Sequence, residues 1–209
     1  MPHARTVDAL ILRTYDVGEA DRYCVLLTRE LGRVSARASG VRKLKSRMGG
    51  TLLPFQRALV QLKESRAGSI IAGVQSKGER PVATLSFFTE AQQGIELLLI
   101  LTQAEEPLPK IFDATCLFLM LCGKDVPHLV LAYTLHLLHH LGFLPGTEEI
   151  EEMANVEVAD HLFVHVALQG DFRNLPVPSS PEQLKALTNH ILREQLSSPL
   201  RAAGVVGRM

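Results

Sequence analysis

The stretch Arg33-Val34-Ser35-Ala36-Arg37-Ala38-Ser39-Gly40 decides how the first part of this chain is read. Successive side chains of a β-strand point to opposite faces, so Val34, Ala36 and Ala38 share one face and Arg33, Ser35, Arg37 and Ser39 the other. The first set is small and apolar and suits a narrow barrel interior. The second is cationic and hydroxylic and suits phosphate oxygens. Similar short runs rich in Val, Ile, Leu and Thr surround it, and the pattern predicts strands at 9–15, 22–29, 33–41, 58–64 and 69–75. Glycine turns divide them at Val17-Gly18-Glu19, Leu31-Gly32-Arg33, Gly49-Gly50 and Ala67-Gly68. Five short strands in under 80 residues predict a small closed or nearly closed barrel.

Beyond Pro81 the texture becomes helical, with apolar stretches at 87–102, 110–122 and 129–144 separated by Pro107, Pro109, Pro127 and Pro145. The expected class is α+β, with a barrel domain at 1–80 and an all-helical domain at 81–209. The least regular stretch is 146–181. The 209 residues, 46% hydrophobic and 21% charged, exclude a disordered or fibrous chain. Cys24, Cys116 and Cys122 form neither a C-x-x-C pair nor an even disulfide framework, which fits a reducing cytoplasm. No signal peptide is expected from the first residues, and no apolar run approaches the ~20 residues of a membrane span.

The formal net charge is zero, yet it is unevenly distributed. Residues 1–80 hold 15 Lys and Arg against 7 Asp and Glu; residues 81–209 hold 7 against 15. A basic half of this kind is a candidate surface for a polyanion. The third strand runs into Arg42-Lys43-Leu44-Lys45-Ser46-Arg47, four cations in six residues. Arg33, Arg37, Arg42, Lys43, Lys45 and Arg47 are therefore the candidate phosphate contacts, with Arg57, Lys63 and Arg66 extending the field. Only Tyr15, Tyr23 and Phe55 are aromatic within residues 1–80, and the chain has no Trp. Proteins that grip single strands by stacking offer several exposed rings. At most one or two of these rings could serve, and core packing is the plainer reading of each. The expectation is therefore backbone-dominated binding with little sequence preference that leaves base edges largely free, as a protein that helps complementary strands pair would need.

The run Gly18-Glu19-Ala20-Asp21-Arg22, followed by Leu26-Leu27-Thr28-Arg29-Glu30-Leu31-Gly32-Arg33-Val34, Gly40-Val41-Arg42, Ser46-Arg47 and Leu53-Pro54-Phe55, resembles the start of the bacterial RecO family of DNA repair proteins. No single piece is specific; the order and spacing together are. Leu141-Gly142-Phe143-Leu144-Pro145 is similar to a later landmark of that family. The resemblance implies an N-terminal OB-fold barrel, a helical C-terminal domain and a non-enzymatic role as a recombination mediator. Such a protein binds single- and double-stranded DNA, anneals complementary strands, works with RecR, recognises the C-terminal tail of single-stranded DNA-binding protein, and helps load RecA on coated strands. Many members carry a four-cysteine zinc ribbon. This chain has no cysteine after Cys122, so no metal or other cofactor is expected.

Competing chemistries have weaker support. His136, His139 and His140, and separately His161 and His165, have spacings that can place two imidazoles on one helix face for zinc. A metal-dependent hydrolase is thus one alternative, but no H-E-x-x-H is present and the first of these helices is apolar nearly all round. The three cysteines fall in predicted strand or helix, where buried, unreactive thiols are expected. Glu19 and Asp21 are expected to pair with neighbours such as Arg22 and fix the first hairpin. A basic-barrel adaptor for RNA or an acidic protein is the other alternative.

Overall fold

The structure is a computed structural model and describes residues 4–44, 46–78, 84–144, 150 and 160–197. The chain forms two compact units, Met1–Asp125 and Val126–Met209. The composition break expected at residue 80 falls outside the described residues. The two helices that follow it belong to the first unit.

That unit is built on five strands, β1 (Arg5–Val17), β2 (Asp21–Thr28), β3 (Gly32–Ala38), β4 (Arg57–Ser65) and β5 (Gly68–Ser76), closed in the order β1-β2-β3-β5-β4. Closure depends on β1, whose 13 residues serve two neighbours. Its first half pairs antiparallel with β4, from Arg5 opposite Leu62 to Leu10 opposite Arg57. From Ala9 onward it pairs with β2, with a register shift between Ile11 and Arg13. Such an irregularity bends a strand and increases its twist, which lets one strand turn the corner of a small barrel. The last seam is parallel and short, Ala36 opposite Ser69 and Arg37 opposite Ile70.

Burial along β3 alternates strictly, with Val34, Ala36 and Ala38 inside. Ala9, Ala36, Ala38 and Ala58 are fully buried, and small side chains at these points allow the opposite walls of a narrow barrel to approach. The run Ala9-Leu10-Ile11-Leu12 departs from alternation, since all four residues are buried. This length of β1 is covered on both faces, which explains its unbroken apolar sequence.

Helices α1 (Leu85–Leu101) and α2 (Pro109–Leu121) complete the unit. The Thr84 hydroxyl accepts the Phe87 N–H at 3.1 Å and starts α1; Pro109 opens α2, where its missing N–H costs nothing. Several contacts tie these helices to the barrel. Arg29 donates two hydrogen bonds to the Asp113 carboxylate at 3.1 and 2.8 Å. Arg57 lies over the Phe112 ring at 5.4 Å, and Phe55 meets Phe87 edge-on at 5.9 Å.

The second unit contains α3 (Leu129–His140), α4 (His161–Gln169), a short 3-10 turn at Phe172–Asn174 and α5 (Pro181–Ser197). Helix α3 is buried almost all round, as its near-continuous apolar sequence requires. It stops before the expected position at 144 because Gly142 adopts a left-handed φ of 77°. Gly142 N–H then donates to His139 O and Phe143 N–H to Leu138 O, a Schellman ending that satisfies two terminal carbonyls. The Leu141-Gly142-Phe143-Leu144 landmark is thus a helix stop.

Candidate nucleic-acid interface

Of the cations singled out from the sequence, Arg37, Arg42 and Lys43 lie about two carboxylates where the β1–β2 hairpin, the end of β3 and the loop that follows meet. These carboxylates organise the region. Asp21, at the start of β2, accepts the Gly40 N–H at 2.7 Å on one oxygen. Its other oxygen receives Arg37 Nε at 2.8 Å and Nη2 at 2.6 Å. The Gly40 N–H, and then the Arg37 guanidinium, hold the Asp21 carboxyl below its usual range. Asp16, at the end of β1, takes Arg22 Nε at 3.1 Å and Arg42 Nε at 3.4 Å. Arg22 also donates to Leu52 O and Arg42 to Gly18 O, both at 3.0 Å, and the Arg42 N–H donates to Ala20 O at 2.9 Å. Gly18, Asp21, Arg22, Gly40 and Arg42 therefore form one clamp between the hairpin and the β3–β4 loop, which gives the spaced sequence pattern a structural cause. The expected partnership of Asp21 with Arg22 is corrected: Arg22 goes to Asp16, and Asp21 holds Arg37.

The six candidate phosphate contacts fare differently. Arg33 is half-buried, and its Nη1 donates to Leu99 O in α1 at 2.5 Å; burial lowers its pKa from the ordinary value. Although strand alternation turns it outward, α1 covers that side, so Arg33 secures a helix and leaves the cationic surface. Arg37 and Arg42 are exposed but paired with Asp21 and Asp16. Exposed pairs of this kind are weak, and each guanidinium has five N–H donors, so both retain capacity for a phosphate oxygen. Lys43 and Arg47 are exposed and have no ion pair or side-chain hydrogen bond among the described residues. Lys45 lies outside the described residues. Lys63 and Arg66 are exposed, whereas Arg57 is committed to Asp8 at 2.6 Å and does not extend the field.

Two of the three rings for which core packing is the plainer reading lie at the surface. Tyr15 and Tyr23 are 49% and 40% exposed and stand opposite each other on β1 and β2. Tyr23 is in turn opposite Arg37, Arg37 opposite Ile70, and Ile70 opposite Lys63. A single row thus crosses the outside of the barrel through all five strands. The signal was present in the sequence: Cys24 is interior, so its neighbour Tyr23 points outward. Phe55, in contrast, is buried against Phe87, as expected.

The other candidate chemistries find little geometry. His136 is buried and its Nδ1 lies 3.0 Å from Leu168 O, with the His140 ring 4.3 Å away between centroids. Among the described residues, no group of three or more His, Cys, Asp or Glu side chains is placed to hold a metal ion. Burial pushes the Cys24 thiol up to about 11 and that of Cys116 to about 12, and raises Cys122 as well. None of these is poised as a thiolate at neutral pH. No helix among the described residues is long and apolar enough to cross a membrane.

A closed five-stranded barrel in the order β1-β2-β3-β5-β4, with β3 and β5 parallel, is the OB class of oligonucleotide- and oligosaccharide-binding folds. The family model described as Recombination protein O N terminal matches residues 1–77. The DNA repair protein RecO of Pelotomaculum thermopropionicum is 32% identical over 209 residues, covering 95% of this chain and 79% of that protein. The DNA repair protein RecO of Myxococcus xanthus is 38% identical over 147 residues, 66% of this chain and 59% of that one. That of Desulfitobacterium hafniense is 33% identical over 148 residues, 69% and 54% respectively. This chain belongs to the RecO family of DNA repair proteins, and its match spans less than two thirds of the Myxococcus and Desulfitobacterium relatives.

Proposed function

We propose that the chain is a non-enzymatic recombination mediator that binds single- and double-stranded DNA on the barrel and anneals complementary strands. The observation that carries this reading is the exposure of Arg37, Arg42, Lys43 and Arg47 at the end of β3 and in the loop after it. Phosphates neutralised there leave base edges free to pair, while released counterions supply the affinity. The excess of acidic over basic residues in 81–209 is suited to keeping DNA on the barrel. Partners in this reading are RecR, the C-terminal tail of single-stranded DNA-binding protein and, indirectly, RecA, all within the cytoplasm.

Changing Lys43 and Arg47 together to Ala tests the DNA interface without cutting the Asp16 and Asp21 clamp. Each lost phosphate contact lowers the slope of log affinity against log salt by about 0.7 for single strands and about 0.9 for duplex. The double variant is expected to show a slope shallower by about 1.5 and slower annealing, with unchanged circular dichroism. An unchanged slope and annealing rate overturns the placement. The mediator role is tested by annealing of strands coated with single-stranded DNA-binding protein, with and without its tail. Indifference to the tail refutes that partnership.

A further inference from the structure

The exposed tyrosine pair has no role in backbone-dominated binding. Resting on the DNA-binding reading above, we propose that Tyr15 and Tyr23 form a base-stacking step that makes this face of the barrel hold single-stranded DNA more tightly than duplex. Three observations converge. The two rings are directly opposite on neighbouring strands, so they stand side by side on the outside of the barrel. Each has 40% or more of its surface in solvent, so both rings are open to a ligand. The row they begin continues through Arg37, Ile70 and Lys63, of which Ile70 is 36% exposed, so an aromatic end adjoins cations suited to a phosphate chain.

The chemistry selects the occupant. A base stacks through its π-face, and in a duplex both faces are already occupied by neighbouring pairs. Only unpaired bases can lie on Tyr15 and Tyr23. Such contacts are indifferent to sequence because every base has a π-face. They also leave the Watson–Crick edge unobstructed, which the phosphate contacts do as well. When a complementary strand pairs with the bound one, the bases return to the duplex stack and leave the rings. The step therefore loosens its hold as pairing proceeds, and the annealed product is released more readily than the separate strands.

The experiment compares a labelled homothymidine strand, an abasic strand of the same length and a duplex, each titrated with the full chain at one fixed salt concentration. The abasic strand keeps the phosphates and lacks the faces. The native chain is expected to bind homothymidine at least about five-fold more tightly than the abasic strand, the lower end of what one stacked base contributes. The Tyr15→Ala, Tyr23→Ala double variant is expected to bind both strands with the abasic affinity and duplex unchanged. Tyr15→Phe with Tyr23→Phe, which keeps the rings, is expected to restore the preference. Equal affinity of the native chain for homothymidine and abasic strands overturns the stacking step while leaving phosphate binding intact. Equal losses on all three ligands in the Ala variant overturn it too, because the preference for homothymidine over the abasic strand then survives without the rings. Failure of the native chain to bind any of them at low salt overturns the DNA-binding reading itself.

Discussion

Replacing Asp8 with Asn removes one negative charge from the middle of β1 with almost no change in shape. The Asp8 carboxylate accepts Arg57 Nε at 2.9 Å and Nη2 at 2.6 Å, and Lys77 Nζ at 2.6 Å. It thereby joins β1 to β4 and to the chain just beyond β5. The side chain is only 12% exposed, and burial works against its ionisation; the hydrogen bonds and charges of Arg57 and Lys77 outweigh that and hold its pKa below the usual carboxylate range. Hydrogen bonds to charged groups contribute about 1.5–3 kcal/mol where shielded, and exposed ion pairs about 0.2–1 kcal/mol. Arg57 and Lys77 are 34% and 43% exposed, so the whole arrangement falls between these limits, at about 2 kcal/mol. At about 3 °C per kcal/mol, Asp8→Asn is expected to lower the melting temperature by about 6 °C at neutral pH.

The pH dependence has a definite sign. A carboxyl with a folded pKa below its unfolded value stabilises above the unfolded value and loses that contribution as pH falls through the folded one. The gap between native and Asp8→Asn proteins should be constant from pH 7 to about 5 and close below about pH 4. Calorimetry over this range measures it, supported by hydrogen exchange of the β1 and β4 amides because two units can melt separately. A gap under about 0.5 kcal/mol, within the reach of a solvated surface pair, would refute the reasoning. So would a gap that persists unchanged at pH 3.

Two further outcomes follow from packing. Gly32 sits at φ +69°, and a Cβ there would lie 1.9 Å from Glu106 O, so Gly32→Ala must both strain the backbone and displace residues 104–106. A cost above about 3 kcal/mol in urea unfolding is expected, and a cost below about 1 kcal/mol would show that this segment yields easily. The raised thiol pKa values of about 11 at Cys24 and about 12 at Cys116, with Cys122 raised too, predict slow labelling by a disulfide reagent at pH 8 in the folded protein. All three should react rapidly in denaturant; fast labelling of the folded chain would contradict the raised values and the burial of Cys24 and Cys122.

Much of the barrel could be read from periodicity because its strands, apart from the covered length of β1, have one wet and one dry face. The limits came from tertiary contacts. The strand expected at 9–15 is observed as Arg5–Val17, since Arg5 and Thr6 gain ladder partners on β4 that no local pattern announces. The strand expected to reach Val41 ends at Ala38, because Gly40, at φ 65°, turns the chain while its N–H is held by Asp21. For the candidate site, the residue types were legible in the sequence and their placement less so. Alternation correctly turned Arg33 and Arg37 away from the interior, but it carries no information about α1, whose Leu99 carbonyl lies 66 residues away and takes Arg33. Tyr15 and Tyr23 were undervalued for the opposite reason: core packing is the plainer reading of an aromatic side chain, although their own strand register points outward.

The seam between β3 and β5 has a practical consequence. Only two residue pairs close it, and the beginning of β3 is mended from elsewhere: Arg33 bridges to Ala104, and the Glu105 N–H donates to Arg33 O at 2.9 Å. A fragment trimmed after β5 to isolate the barrel would lose this patch. The first residues of β3 would then offer naked backbone groups to any other chain, inviting the self-association that unguarded sheet margins cause. The smallest piece worth expressing runs on through the helices to Asp125.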